Sequence, residues 1–153
     1  MSGTLLLFGS FAFLAAFNAG TMTTLQLQHY GIYSQVGRDN FAAYMRANNR
    51  AALVPAILPA MLLLFVSAIL VFERPYFMYM AEALVALTLN VVQLAATFIW
   101  QRRLHSEMAE TGYNAAKTEL LVSTNWIRTA VFLIQAVVAT EISLRALSHV
   151  AGQ

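Results

Sequence analysis

No cysteine occurs among the 153 residues, which excludes disulfides, thiol catalysis, iron–sulfur ligation and cysteine zinc sites. Charge is scarce as well: Asp, Glu, Lys and Arg make up 10% of the chain, against about a quarter in soluble domains. The nine basic residues are too few and too scattered for a nucleic-acid surface. Glycine-rich phosphate loops, nucleophile elbows and paired catalytic carboxylates are absent. The remaining space is filled by apolar side chains, 59% of the sequence. A water-soluble globule of this size could not hide so much apolar surface, whereas a bilayer can.

A span needs roughly 20 mainly apolar residues. Four segments qualify, at about 4–27, 51–72, 76–100 and 125–147. The sequence therefore predicts an all-α, polytopic membrane protein: one domain over 1–153 built as a four-transmembrane-helix bundle, with a short amphipathic helix in each of its two longer loops. The first apolar stretch lacks a basic region before Leu5 and is too long for a signal peptide, so it is expected to remain as a span. Tyr76, Tyr79, Trp100 and Trp126 fall at span ends, where aromatic belts form. The short Glu73-Arg74-Pro75 link makes the second and third spans a tight hairpin. Arg38, Arg46 and Arg50 in the first loop, with Arg102, Arg103 and Lys117 in the third, outnumber Arg74 and Arg145 on the opposite face. Positive residues stay inside, so both loops are expected in the cytoplasm of a cell-membrane protein with non-cytoplasmic termini. Asp39 is the expected cap of the first loop helix, and Ala115 to Leu121 after Asn114 the expected helix of the third loop.

Polar residues inside spans must find partners away from lipid. Asn18, Met22, Gln26, His29 and Tyr33 share one helical face, as do Glu82, Ala86, Asn90, Gln93 and Thr97, and Asn125, Arg128, Phe132 and Gln135. Hydrogen bonding between helices is the plain account of Asn90, Gln93 and Gln135. Glu141 and Arg145, four residues apart, are expected to pair. Pro55 and Pro59 should bend the second span and free carbonyls near Ala51 and Pro55. The cytoplasmic end gathers a polar cluster of Tyr30, Tyr44, Arg46, Asn48, Arg50, Gln101 and Arg102 together with the candidate site residues His29, Tyr33, Asn49, Trp100, His105, Asn125, Trp126 and Arg128. His29 precedes Asn49 as His105 precedes Asn125, a spacing consistent with a duplicated two-helix unit. No H-x-x-x-H or E-x-x-H pattern accompanies the histidines, Glu107 reads as solvated, and no metal site is expected. An Arg such as Arg128 near a span end either snorkels to the headgroups or offers a fixed positive charge to an anion or developing oxyanion.

The run Leu121-Val122-Ser123-Thr124-Asn125-Trp126-Ile127-Arg128-Thr129 resembles the fourth-span signature of the anthrone oxygenase-like family of four-helix membrane proteins. Gln28-His29-Tyr30, Val36-Gly37, Phe41, Tyr44 and Arg102-Arg103-Leu104 are similar to its bacterial branch, most of which has no assigned function. Histidines common in that branch near Met45, Asn48 and Gln101 are missing, which leaves open binding without turnover. The resemblance implies oxidation of anthrone-type polyketides by molecular oxygen with no dedicated cofactor.

Three functions are expected from these features. The first is an oxidoreductase-like protein taking a lipophilic aromatic molecule from the bilayer. His29 or His105 would act as base, Arg128 with Asn125 would stabilise the oxyanion, and Trp126, Trp100 and Tyr33 would stack on the rings. The second is a non-enzymatic subunit of a larger membrane complex, a lipid or quinone binder, or a homodimer packing through Ala15-Ala16, Gly20 and Ala95-Ala96. The third, a transporter, has least support.

Overall fold

The computed structural model describes residues 3–151, with side chains described through 149. Helix α1 (Gly3–Thr24) runs on through a π-turn (Leu25–His29) and a 3₁₀ segment (Tyr30–Gln35) as one rod. After a 3₁₀ turn (Arg38–Asn40) comes α2 (Phe41–Ala51), then a second π-turn (Leu53–Ile57) leading into α3 (Leu58–Phe72). A tight connection gives α4 (Met80–Ala96), a third π-turn (Thr97–Gln101) and α5 (Arg102–Thr111). Gly112, at φ +82°, ends α5 in a conformation that favours glycine. Helix α6 (Ala115–Ala151) closes the chain.

Among the described residues four helices are long and apolar enough to cross a membrane: Gly3–Gln35, Leu53–Phe72, Met80–Thr111 and Ala115–His149. They form a ring in which α1 and α4 each touch both α3 and α6, while the diagonal pairs stay apart. Alanine-rich inner faces allow the approach: Ala15, Ala60, Ala83, Ala86 and Ala139 are all buried. Phe13, Phe65, Ile69, Val91 and Val137 point outward and exposed, the inverse of a soluble bundle and the arrangement a lipid solvent favours. Polar side chains tie the ring together. Asn90 Nδ2 donates to Ser67 Oγ at 2.9 Å, and Gln135 Nε2 donates to the Ala86 carbonyl at 3.3 Å. Asn125 Nδ2 donates to Gln26 Oε1 at 2.8 Å.

Several boundaries differ from the sequence reading. The third long helix starts at Met80 rather than near Tyr76, because the Glu82 carboxylate accepts the Tyr79 N–H at 2.8 Å and fixes the first turn. The segment from Ala115 to Leu121 is the start of α6 instead of a separate helix; Asn114 Oδ1 caps it through the Lys117 N–H at 3.0 Å. The amphipathic segments are α2 and α5, packed on each other at one end of the bundle. Asp39 lies in the 3₁₀ turn, and Asn40 precedes α2 without a side-chain cap. Arg145 pairs with Glu82 on α4 at 2.7 Å and sits over the Tyr79 ring at 4.5 Å, so Glu141 is not its ion-pair partner. Glu107 bridges Arg103 and Lys117 at 2.8 and 2.9 Å, so it is an ion-pair centre rather than simply solvated.

Candidate functional site

All three π-turns fall at the same end of the bundle, and each contributes to one cavity of about 420 Å³. A π-turn widens the helix by one residue and re-aims the side chains beyond it, which is why such turns recur at functional sites. Pro55 explains the second turn: it has no N–H to offer the Ala51 carbonyl, and the Ala52 carbonyl accepts from both Ala56 and Ile57 at 3.1 Å. Threonines help at the others, Thr23 and Thr97 each bonding the carbonyl four residues back at 2.8 Å.

The deep wall of the cavity is apolar, from Met22, Ala56, Ala60 and Met61. Its other end is polar, with His29, Tyr30, Asn49, Gln101, His105 and Arg128. Arg128 is 9% exposed and therefore does not reach headgroups by snorkelling. Its Nη1 donates to Asn125 Oδ1 at 3.2 Å, but its Nε has no protein partner. No carboxylate pairs with it among the described residues, and none lines the cavity. A guanidinium in hydrocarbon surroundings costs roughly 2.5–3.5 kcal/mol or more, so a buried one without a counter-charge is the chemical anomaly of this fold. Besides Asn125, the Tyr30 hydroxyl interacts with this guanidinium, and His105 lies within its electrostatic reach.

The two histidines are held differently. His29 Nε2 meets Tyr33 Oη at 3.0 Å and Nδ1 meets Tyr44 Oη at 3.3 Å, so both ring nitrogens are occupied. Asn48 Nδ2 donates to the same Tyr33 oxygen at 3.3 Å, and burial pushes the Tyr44 hydroxyl above its ordinary range. His105 Nε2 meets Tyr30 Oη at 3.2 Å, while its Nδ1 faces only the Met45 thioether at 3.3 Å. Tyr30 also reaches Gln101 Oε1 at 3.4 Å. Clamps close this end: Asn49 Nδ2 donates to the His105 carbonyl at 3.5 Å, and Arg46 Nη1 to the Ala109 carbonyl at 2.7 Å.

Of the residues singled out from sequence, His29, Asn49, His105 and Arg128 line the cavity. Tyr33 and Asn125 are fully buried one layer behind, holding His29 and Arg128. Trp126 is 49% exposed on the outer face, and Trp100 packs against the tyrosine cluster; neither lines the cavity. Tyr30, Gln101 and Asn48, which the sequence places in the polar cluster at this end but not among the candidate site residues, line the cavity as well. Tyr30 comes directly after the Leu25–His29 turn, whose extra residue brings it inward beside His29, a shift that regular helical spacing does not reveal. Comparison with protein-family models, curated proteins and solved structures finds no match to this chain.

Proposed function

We propose that this chain is a membrane-embedded protein that binds a lipophilic aromatic molecule through an acidic or carbonyl oxygen, and that it acts on it as an anthrone oxygenase-like oxidoreductase. The observation that carries the reading is Arg128: a buried guanidinium with an unpartnered Nε, on a cavity without a carboxylate. A ligand oxygen bearing full or partial negative charge is the partner such a group lacks.

The residues present fit proton abstraction next to a carbonyl. The ligand oxygen rests on Arg128, held in position by Asn125. The Tyr30 oxygen takes the proton from the acidic carbon as Tyr30 passes its own proton to His105 Nε2. His105 suits this role better than His29, whose ring nitrogens are both engaged. The resulting enolate is stabilised by Arg128 and reacts with dioxygen; the hydroperoxide so formed loses water and leaves a new carbonyl. One oxygen atom ends in the product and the other in water. The α2–α5 end faces the cytoplasm in this reading, in keeping with the basic residues of its loops.

Retention of a ligand by purified protein tests the proposal. Arg128→Gln, which keeps polarity but removes charge, is expected to lower retention of an anthrone at least tenfold while the helical content is kept. Equal retention by the folded variant would refute it.

A further inference from the structure

The cavity is not equally closed on all sides. Helices α3 and α4 are neighbours near their shared hairpin, yet no Cα of Leu53–Ile57 lies within 8 Å of one in Thr97–Gln101. The second and third spans therefore part at the level of their π-turns. Ile57 and Phe98 stand at this parting; both line the cavity, and they are 46% and 56% exposed, respectively. Towards water, by contrast, the Asn49 and Arg46 bonds hold α2 to α5. Arg102, which also lines the cavity, holds its guanidinium 5.6 Å from the centre of the Phe98 ring.

We propose that the cavity is filled sideways, from the bilayer, through the gap between Leu53–Ile57 and Thr97–Gln101. Its occupant is an amphiphile: an aromatic head carrying an acidic or carbonyl oxygen sits on Arg128, and an apolar tail leaves between Ile57 and Phe98 into the lipid. This rests on the reading of Arg128 as the ligand's anchor and adds to it the route and the tail. A tail left in lipid does not have to be enclosed, so a cavity of about 420 Å³ need take only the head. The route also keeps an apolar ligand out of water, which its methylenes would have to enter on any path through the aqueous end.

A pair of probes separates the parts of the proposal: 2-hydroxy-1,4-naphthoquinone and its 3-dodecyl derivative share a coloured, acidic, quenching head and differ only in the tail. The full chain in phosphatidylcholine vesicles is mixed with each, and quenching of Trp100 and Trp126 is monitored by stopped flow. Both probes are expected to bind saturably and within about threefold of each other per mole of lipid-dissolved probe, because a tail that stays in lipid neither adds to nor hinders binding of the head. Ile57→Tyr, which narrows the gap, is expected to slow association of the tailed probe at least fivefold. Phe98→Ala, which widens it, is expected to speed association. Both side chains lie outside the buried core, so neither change disturbs it, and far-UV circular dichroism verifies folding. Arg128→Gln is expected to abolish saturable binding of both probes. Saturable binding of the tail-less probe alone, or rates indifferent to both gap variants, overturns lateral loading while the Arg128 reading stands. Saturable binding undiminished in Arg128→Gln, or none in the wild type, overturns both.

Discussion

Arg128 sets two demands against each other. Held without a counter-charge, it costs the fold its desolvation, roughly 2.5–3.5 kcal/mol on insertion scales, a cost that an apolar side chain of similar length does not carry. Arg128→Met is therefore expected to raise the thermal midpoint in detergent while ligand retention is lost. A lower midpoint would mean that the guanidinium serves the fold. His29 and His105 differ in the same local way: one is tied at both nitrogens to tyrosines, the other at one nitrogen only. Substituting His105 by Gln should cut turnover at saturating ligand by about 10²–10⁴-fold, the usual contribution of a positioned acid–base group, with binding changed far less. Arg128 is legible in the sequence as a charge within an apolar run. Trp126 is not, since the period that turns Asn125 and Arg128 inward turns it towards lipid and out of the site expected for it.

At the level of elements, the site is made by departures from regular helix. Pro55→Ala restores the missing N–H and should let the Leu53–Ile57 turn tighten towards α-helix. The expected result is a more stable bundle with slower ligand exchange, read by thermal melting and by quenching kinetics. Ser67→Ala tests the other kind of element contact. It removes the acceptor of the Asn90 side chain between α3 and α4, and a loss of about 0.6–1.7 kcal/mol is expected. Of the three turns, the one at Pro55 can be anticipated, because proline has a fixed steric consequence. Those at Leu25 and Thr97 cannot, because threonine back-bonding is permitted in ordinary helices too. The unbroken run of α6 through Lys117 and Glu119 is hidden too, because charged residues there read as a loop.

The whole molecule is two differently built ends joined by four apolar helices. The hairpin end is a packed core of Phe8, Phe11, Leu70, Phe77 and Ile142. The other combines a tyrosine–histidine cluster with the cavity. Apolar length alone makes the four spans legible, because a bilayer demands it. The cavity is not legible, since it depends on how far apart α3 and α4 stand, which no local pattern encodes. A cysteine-free chain suits tests at this scale. Ala47→Cys, on the exposed face of α2, should react with a membrane-impermeant maleimide only from the cytoplasmic side if the basic loops set the orientation.

Arg128 is central because its guanidinium is assigned to a ligand oxygen. Mass spectrometry of small molecules retained by the protein from its native membrane in mild detergent, wild type beside folded Arg128→Gln, reads this directly. A near-stoichiometric aromatic compound with an acidic or carbonyl oxygen, present in the wild type and reduced at least tenfold in the variant, is the predicted result. The same retained molecules in both, or none above background in the wild type, would contradict it.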